Sequence, residues 1–375
     1  MIKNILNLVK SSIKNPIYAF YVLRGKLITL SNLDYHFLSG YSFLPSVIRV
    51  DLTYRCNLKC KICFEFGENP QWKVDSNKED ESISIDHLKK IVNEVSFFKP
   101  TFYLSGGEPL IYPELFELLE YLKDKNLYCL INTNGILLKK HAESLVKLGV
   151  DKIIVSIDGP EEVHDLNRGK TFKNILEGIE ILKDVKRKEN SYFPLIRINS
   201  LITPFNSEYL EDTVSLVEEL GVDSLTFQHP MFSNEEVRRE YVEGIGNGKI
   251  NSINILGFTY AGGINVDSLI SQVKNIKARK FKIPVNFYPN IKVNEINYYY
   301  NDLDYKFRNE CFSAWRKVVI TPNGSIGPCV NHLIDNIRNK CFSEIWNSNK
   351  YRTFRRDLKR KGLLLSCARC CLREY

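Results

Sequence analysis

Three cysteines, Cys56, Cys60 and Cys63, form a C-x3-C-x2-C pattern within one short segment. The segment directly follows an apolar run, residues 47–52, that has the composition of a buried strand. Three thiolates on one loop can hold three irons of a [4Fe–4S] cluster, whose complete protein ligation normally takes four cysteines. Because the next cysteine is Cys129, the fourth iron would be left open for a small molecule.

Zinc and uncoordinated thiols are the competing interpretations of this cysteine triad. Structural zinc sites are usually closed by paired cysteine elements, and a single group of three cysteines fits that arrangement poorly. Ten cysteines, grouped in a chain without a signal-peptide pattern, indicate metal ligands in a reducing compartment rather than a disulfide framework. We therefore expect a cytoplasmic protein.

A second group of cysteines lies near the end of the sequence. Cys311 and Cys329 frame a C-x12-G-x4-C pattern around Gly324, and Cys367 and Cys370 form a C-x2-C pair. Four thiols on two separated elements can fully ligate one [4Fe–4S] cluster or one zinc ion. The spacing alone slightly favours zinc, so both metals remain open at this point.

The surroundings of this second group predict a small separate module. A strand at 318–320 with a following turn predicts a hairpin, and a long basic helix is predicted over 343–361. Cys341 and Cys371 are second-choice ligands. Cys129 is expected to be a buried thiol of the core.

Strand-like and helical segments alternate in the part of the chain that must position the triad. Apolar runs predict strands at 47–52, 101–104, 127–132, 152–157, 195–202 and 222–228. Helical periodicity predicts helices at 86–98, 112–125, 139–148, 171–187 and 207–220. Repeated βα units predict a parallel sheet with helices outside, and active residues of α/β barrels lie at the carboxyl ends of the strands.

Polar turns follow two of these strands. Gly106 and Gly107 let the backbone approach a ligand closely, and the carboxylate of Glu108 can pair with an ammonium group. An ordinary tight turn is the alternative for the two glycines alone. Ser156 and Asp158 end another strand on one face, where a hydroxyl and a carboxylate are able to hold ribose hydroxyls.

The composition excludes several other classes of protein. The chain has 375 residues, of which 44% are apolar and 26% charged, as is ordinary for a globular protein with a sizeable core. The net charge of +8 only weakly favours anionic partners. The basic run 351–361 is expected to be the solvated face of a helix, and no aromatic–basic RNA-binding motif is present, so we expect no nucleic-acid partner.

The first 46 residues predict a helical extension in front of the barrel. Apolar residues recur at helical spacing, and an apolar run at 17–23 is far too short to span a membrane. Packing of this extension on the barrel is the favoured interpretation. Weak attachment to a membrane surface through its basic amphipathic helix is the alternative.

The sequence resembles the radical S-adenosylmethionine (SAM) superfamily in the order of three motifs. These are the cysteine triad, the GGE turn at 106–108 and the SIDG turn at 156–159. The resemblance implies a partial (β/α)6 TIM-like barrel and an open iron that binds the amino and carboxylate groups of SAM. It also implies reductive cleavage of SAM to a 5′-deoxyadenosyl radical that abstracts a substrate hydrogen, with a flavodoxin or ferredoxin as reductant. The aromatic residue that the family has before the third cysteine is replaced here by Ile62, and Phe64 follows the cysteine.

The same resemblance implies a set of SAM-binding residues, which are Gly106, Gly107, Glu108, Asn134, Ser156, Asp158 and Arg168. In this set the GGE turn binds the methionyl amine, and the SIDG turn binds the ribose hydroxyls. The arginine lies in a sequence similar to HD-x-x-RG and is a candidate for the carboxylate of SAM, with an ordinary surface arginine as the alternative. No residue is assigned to deprotonate a substrate radical.

Linked to such a core, the C-terminal cysteines look like a SPASM or shortened twitch domain, which carries auxiliary iron–sulfur clusters. The resemblance implies one auxiliary [4Fe–4S] cluster, because the two-cluster form has more cysteines than this segment offers. Its implied ligands are Cys311, Cys329, Cys367 and Cys370.

These interpretations divide the chain into a helical N-terminal extension (1–46), a radical SAM barrel (47–228), a bridging and substrate region (229–310) and an auxiliary-cluster domain (311–375). We expect a net oxidation, or dehydrogenation, of a small-molecule, saccharide or lipid-linked substrate. A radical SAM maturase that oxidises or crosslinks a peptide or protein is the alternative. A non-enzymatic iron–sulfur or zinc protein is the remaining interpretation.

Overall fold

The structure is a computed structural model that describes residues 33–63, 65, 67, 82–233, 258–259, 262–302, 304–305, 307, 310–362, 367 and 369–370. Most of the predicted N-terminal extension lies outside the described residues. The same is true of nearly all of a helical stretch predicted at 233–243, and of Phe64 and Cys371.

One large sheet organises the described part of the chain. Its strands are β1 (Val47–Asp51), β2 (Thr101–Ser105), β3 (Cys129–Thr133), β4 (Lys152–Ser156), β5 (Leu195–Leu201), β6 (Ser224–Gln228), β9 (Val285–Tyr288), β10 (Lys317–Ile320), β11 (Ser325–Gly327) and β12 (Asp335–Asn336). They lie in the order β12-β11-β10-β1-β2-β3-β4-β5-β6-β9. Every neighbouring pair from β10 to β9 is parallel. Two short strands, β7 (Phe232–Ser233) and β8 (Phe258–Thr259), pair separately.

Helices connect the strands and cover the outer face of the sheet. The described helices are Leu33–Phe37, Ile85–Val95, Leu115–Asp124, Leu138–Lys147, Glu161–Arg168, Phe172–Lys188, Leu210–Leu220, Val266–Ala278, Ile296–Asn301, Ser313–Arg316, Phe342–Trp346 and Asn349–Lys361, with 3-10 turns at Ser96–Phe98, Pro109–Ile111 and Val293–Glu295. None of these helices is both long enough and apolar enough to cross a membrane.

The first long helix shows why these segments form and pack as they do. In Ile85–Val95 the side chains of Leu88, Ile91, Val92 and Val95 are buried. Their spacing of three, four and seven residues forms one apolar stripe along the helix. Burying each such side chain contributes about 1.5–3 kcal/mol, so the stripe fixes this helix against the sheet.

The six parallel strands β1 to β6 with outer helices confirm the predicted partial (β/α)6 barrel. The sheet continues beyond both edges of this barrel. On one side β10 pairs with β1, with Val318 opposite Ile48, and on the other side β9 pairs with β6. The predicted C-terminal hairpin therefore covers an edge strand that would otherwise expose unpaired backbone groups.

The prediction of one helix over 343–361 is wrong, because the segment contains two helices, Phe342–Trp346 and Asn349–Lys361. The interruption has a tertiary cause. The side-chain oxygen of Asn347 accepts hydrogen bonds from the backbone of Ser42 at 3.1 Å and from Arg355 Nη1 at 2.8 Å. Ser348 Oγ then accepts a hydrogen bond from the Tyr351 backbone and caps the second helix.

Candidate active site

The carboxyl ends of the barrel strands surround a cavity of about 300 Å³. Cys56, Cys60 and Cys63 all line it. Residues from the ends of the other strands complete the wall, and among them are the predicted Gly106, Gly107, Asn134, Ser156 and Arg168, together with Asn199 and Gln228. The structure therefore brings the cysteine triad and most of the predicted SAM-binding residues to one place.

The cysteine loop is held in position by backbone contacts to the GGE turn. The backbone N–H of Gly107 donates to Thr53 O at 2.8 Å, and that of Glu108 donates to Arg55 O at 2.9 Å. A Cβ on Gly107 would lie only 2.0 Å from Arg55 O, and Gly106 has a φ of +120°. The two glycines thus permit the close approach that joins the turn after β2 to the loop after β1.

The donor set of the cavity fits an iron–sulfur cluster. Burial raises the pKa of Cys56 to about 11 and also raises the pKa of Cys60, and thiols must lose their protons to bind a metal group. Across the described ranges, no three His, Cys, Asp or Glu side chains lie close enough to hold a single metal ion. Three thiols on the wall of one cavity suit a [4Fe–4S] cluster that keeps one iron open.

Glu108, predicted to bind an amine, does not line the cavity. Its carboxylate is 1% exposed and accepts hydrogen bonds from Leu110 N at 2.9 Å, Thr133 Oγ1 at 2.7 Å and Asn134 N at 2.8 Å. Burial raises its pKa, and these three donors oppose the rise. The Glu108 carboxylate thus holds the turn after β3 without itself lining the cavity.

Asn134 connects that turn to the cysteine loop. Its side-chain Nδ2 donates to Asn57 Oδ1 at 2.7 Å, and Asn57 directly follows the first cysteine of the triad. Its own backbone N–H is held by Glu108. Asn134 therefore connects the buried Glu108 carboxylate, through two hydrogen bonds, to the loop that carries the three cysteines.

Asp158, predicted to hold ribose hydroxyls, does not line the cavity either. It is fully buried, whereas Ser156 and Arg168 line the cavity. Its Oδ2 accepts hydrogen bonds from Arg168 Nε at 2.6 Å and from Asn167 Nδ2 at 2.5 Å, and its Oδ1 accepts from the Leu201 backbone at 3.3 Å. The carboxylate is enclosed by these donors, whereas Arg168 and Ser156 reach the cavity beside it.

Sequence reasoning missed an acidic and a basic residue that also line the cavity. Arg49 and Glu65 both line the cavity, and Arg49 Nε donates to Asp51 Oδ1 at 2.9 Å. Burial, assisted by Asp51, raises the pKa of Glu65 to about 7. The alternation of charged and apolar residues in β1 could have predicted this position for Arg49, because it places Arg49 and Asp51 on the inner face of the sheet.

The four predicted auxiliary cysteines line a second cavity. Cys311, Cys329, Cys367 and Cys370 come from three separate segments and share its wall. Burial raises the pKa of Cys329, and the neighbouring Cys367 and Cys311 thiols raise it further. The shared cavity wall brings the four thiols to one place, as ligands of one metal group require.

A buried arginine anchors the last cysteine pair. Arg369 lies between Cys367 and Cys370 and is 1% exposed. Its guanidinium donates to Tyr299 O at 2.5 Å, to Tyr298 O at 2.9 Å and to Asp302 O. These carbonyls end the helix Ile296–Asn301, where a cation is also favoured by the helix dipole.

The remaining described cysteines lie outside both cavities. Cys341 is exposed at the start of the helix Phe342–Trp346, whose first N–H groups donate to the carboxylate of Glu94. Cys129 is a fully buried core residue of β3, as predicted, and burial raises its pKa to about 12. Neither is placed to replace one of the four auxiliary cysteines.

The two cavities share part of their walls. Met231, just after β6, and Val330, just after Cys329, line both of them. A metal group held by the C-terminal cysteines would therefore lie behind these two apolar side chains. Met231 and Val330 thus form an apolar boundary that the two cavities share.

Two family models match the chain. The model of the radical SAM superfamily matches residues 50–220, and the model of the SPASM iron–sulfur cluster-binding domain matches residues 311–371. The first range contains the cysteine triad, and the second contains all four auxiliary cysteines. The predicted kinds of cofactor are thereby confirmed: a [4Fe–4S] cluster with SAM in the first domain and auxiliary iron–sulfur in the second.

Curated relatives align over different shares of the chain. An AdoMet-dependent heme synthase of Methanosarcina barkeri is 36% identical over 182 residues, which are 47% of this chain and 48% of that protein. A tungsten-containing aldehyde ferredoxin oxidoreductase cofactor-modifying protein of Pyrococcus furiosus is 24% identical over 353 residues, 87% of each chain. The chain thus spans about half of the first relative and most of the second.

Solved structures share the fold. SuiB of Streptococcus suis bound to its precursor peptide SuiA has a TM-score of 0.61 at 18% identity, covering 94% of this chain and 76% of that one. The tagged anSMEcpe with bound AdoMet has a TM-score of 0.57 at 18% identity, covering 83% of this chain and 80% of that one. Identities this low show the likeness of fold alone.

Proposed function

This chain carries a domain of the radical SAM superfamily joined to an SPASM iron–sulfur domain, and we propose that it uses SAM to oxidise a substrate by hydrogen abstraction. The observation that carries the proposal is the convergence of Cys56, Cys60 and Cys63 with the glycine turn and Arg168 on one cavity. An iron–sulfur electron carrier without enzymatic activity would not need a ligand cavity beside an incompletely ligated cluster.

When bound, the cluster of the triad supplies the electron that cleaves SAM to a 5′-deoxyadenosyl radical, which removes a substrate hydrogen atom. The residues of the chain bind and orient the reactants. The guanidinium of Arg168, held by Asp158, is placed to pair with the carboxylate of SAM. Ser156 lines the same cavity with its hydroxyl, and Asn134, whose side chain binds Asn57, forms another part of the wall.

Glu108 acts in this proposal as a positioning residue. It sets the turn that carries Asn134, and Asn134 in turn holds Asn57 beside the first cysteine of the triad. The apolar side chains of Met231 and Val330 line both cavities and form the boundary between them. One auxiliary [4Fe–4S] cluster, held by Cys311, Cys329, Cys367 and Cys370, would accept the second electron of the oxidation.

We favour a small molecule as the substrate class. Support comes from the relative that aligns over 87% of both chains, which is described as cofactor-modifying, and from the heme synthase that aligns over the barrel. A peptide is the second candidate substrate, because the fold of peptide-bound SuiB is similar to that of this chain over 94% of its length. Deuterium transfer from labelled candidate substrates into 5′-deoxyadenosine distinguishes the two classes.

The proposal is tested by anaerobic incubation of reconstituted protein with SAM and dithionite. We expect 5′-deoxyadenosine from the wild type and none from a variant with Cys56→Ala, Cys60→Ala and Cys63→Ala. Cys341→Ala is the matched control, because that thiol is exposed and lies outside both cavities. No product from a wild type that holds about eight irons per chain and shows no SAM-dependent change in its EPR spectrum would refute the proposal.

A further inference from the structure

Five aromatic side chains, in the segment before β1 and in the turn before β2, are exposed to solvent. Phe97 exposes 85% of its surface, Phe37 exposes 77% and Phe43 exposes 61%, and Tyr41 and Phe98 are exposed as well. Together these five residues form the aromatic rim. None of them lines either of the two cavities described above, so the rim is a separate feature of the surface.

The rim lies at the amino ends of the strands, opposite to the active-site cavity. Thr101 N, at the start of β2, donates to Ser46 O, just before β1, at 2.8 Å. Phe43 and Phe98 each precede one of these residues by three positions, so both lie within about 11 Å of that hydrogen bond. The cavity is surrounded by the carboxyl ends of the same strands. A partner bound to the rim would therefore leave the cavity open to solution.

The segment before β1 is firmly held although its aromatic side chains are exposed. The ring of Tyr35 packs 4.8 Å from that of Trp315. Ser42 Oγ donates to Trp315 O at 2.8 Å, and Trp346 Nε1 donates to Phe43 O at 2.6 Å. An ordered segment that keeps several large apolar side chains in water is typical of a surface that binds a partner or a membrane.

The helix Asn349–Lys361 supplies positive charge beside the rim. It contains seven Lys and Arg residues and packs against the same segment. The guanidinium of Arg352 lies 4.4 Å from the centre of the Tyr41 ring. A Cβ on Gly40 would lie 2.5 Å from Arg352 O and 3.0 Å from Arg356 Cγ. The exposed basic residues of the helix are Lys350, Arg356, Lys359, Arg360 and Lys361.

The acidic side chains of the two segments do not cancel this charge. Residues 33–43 contain one acidic residue, Asp34, and the helix contains one, Asp357. Asp34 Oδ2 accepts hydrogen bonds from Ser42 Oγ at 2.8 Å and from Phe43 N at 3.2 Å. Asp357 pairs with Arg360 at 2.9 Å. The other exposed Lys and Arg residues of the helix thus give a positive potential that borders the aromatic rings.

We propose that the aromatic rim and the adjoining basic helix bind the surface of a membrane that contains anionic lipid. Rings as exposed as those of Phe37, Phe43 and Phe97 can enter the boundary between headgroups and acyl chains, while guanidinium and ammonium groups meet the lipid phosphates. Aromatic side chains flanked by lysine and arginine are typical of that boundary. Attachment of this kind involves no step of the SAM reaction, and it leaves the cavity accessible to a substrate from solution.

The test is anaerobic cosedimentation of the full-length reconstituted protein with sucrose-loaded vesicles. Mixed vesicles of phosphatidylglycerol and phosphatidylcholine should bind the wild type at least about tenfold more strongly than vesicles of phosphatidylcholine alone. The variant Phe37→Ser, Phe43→Ser should bind the anionic vesicles at least about tenfold more weakly than the wild type. The variant Arg356→Glu, Arg360→Glu should lose about as much at low ionic strength, and the loss should shrink as salt is added.

Two matched controls separate the rim from general effects. Tyr209→Ser removes an exposed aromatic ring from the connection after β5, before the helix Leu210–Leu220. Arg187→Glu, Lys188→Glu makes the same charge change at the exposed end of the helix Phe172–Lys188. Both controls should bind anionic vesicles within about twofold of the wild type. Equal weakening by the two charge variants would overturn the proposal, because only net charge would then matter.

Other occupants of the rim give different results. A lower melting temperature of Phe37→Ser, Phe43→Ser with wild-type vesicle binding would show that the rings pack within this chain, and would overturn the proposal. A dimer that this variant dissociates in sedimentation velocity, again with unchanged vesicle binding, would assign the rim to a second copy and would also overturn it. The charge variant tests vesicle binding independently of how well the phenylalanine variant folds.

The same preparation separates this proposal from the proposed function. The assay of 5′-deoxyadenosine with dithionite needs no vesicles. A wild type that makes 5′-deoxyadenosine but does not bind anionic vesicles would therefore refute the membrane proposal alone.

Discussion

Arg168 donates two hydrogen bonds to the carboxylate of Asp158, from Nε to Oδ2 at 2.6 Å and from Nη2 to Oδ1 at 3.2 Å. The arginine lines the large cavity, whereas the aspartate is fully buried behind it. The backbone of Asn167 also binds the cysteine loop, since its carbonyl accepts from Lys61 N at 2.9 Å. The ion pair thus joins the strand β4, the helix Glu161–Arg168 and the cysteine loop.

Asp158→Asn is expected to weaken both the fold and SAM binding. The substitution leaves the Arg168 guanidinium without its counter-charge, and breaking a buried ion pair typically costs about 3–5 kcal/mol. Denaturant unfolding of the anaerobic protein measures the first effect, and equilibrium dialysis with labelled SAM measures the second. Glu143→Gln, which breaks an exposed pair with Lys147, should change neither quantity measurably.

Gly107→Ala is expected to abolish the cluster of the triad. The new Cβ would lie 2.0 Å from Arg55 O, so the GGE turn and the cysteine loop must separate. Iron analysis should show loss of about four of eight irons per chain, together with loss of 5′-deoxyadenosine formation.

Gly178→Ala is the control for this effect. Its Cβ would lie 2.9 Å from Leu138 Cβ, in the packing of two outer helices far along the chain from the cysteines. We expect a lower melting temperature with a full complement of iron. Full iron in Gly107→Ala would show that the loop tolerates the separation, contrary to the prediction.

The sequence predicts the location of the site better than the direction of its acidic side chains. Cysteine spacing and strand ends predict that the triad and the GGE turn share one site, and in the structure the three cysteines line one cavity with Gly106 and Gly107. The carboxylates of Glu108 and Asp158 turn away from it, because donors from other elements, Thr133 and Arg168, enclose them in the folded chain. Such long-range donors are not visible in a local motif.

Tertiary contacts also explain the errors in the predicted elements. The periodicity over 343–361 continues across Asn347, yet that side chain binds Ser42 and ends the first helix. Similarly, β9 is a short strand that pairs with β6, far away in the sequence, so the pairing in the folded chain defines it. Local propensity is a weak guide where one distant contact decides the conformation.

Arg369→Met is expected to remove the auxiliary cluster and leave the cluster of the triad. The substitution deletes the hydrogen bonds to Tyr298 and Tyr299 that hold the C-terminal cysteine pair. Iron should fall from about eight to about four per chain, while SAM-dependent changes in the EPR spectrum of the remaining cluster persist. Arg338→Met, at an exposed position, should retain all the iron. Full iron in Arg369→Met would show that the pair is held by other contacts.

Lys152, at the start of β4, gives a prediction about pH. Burial, and next the charge of Arg197 on β5, lower its pKa to about 8, while Asp223 and Asp151 act in the opposite direction. A lysine with a lowered pKa in the folded state costs stability below that pKa, because the unfolded chain then binds the proton more tightly. The cost disappears as the pH rises from about 8 to about 10.5, the ordinary lysine value.

The wild type should therefore gain free energy of unfolding relative to Lys152→Met across this range, by roughly 2 kcal/mol. Anaerobic guanidinium unfolding of both proteins at about pH 7.5, 9 and 10.5 measures the difference. These pH values cover the range between the pKa of Lys152 in the folded chain and its pKa in the unfolded chain. Comparison with the variant removes the contribution of every other titrating group. Parallel stability curves would mean that Lys152 titrates alike in the folded and unfolded chains, and that the barrel does not hold its ammonium group away from water.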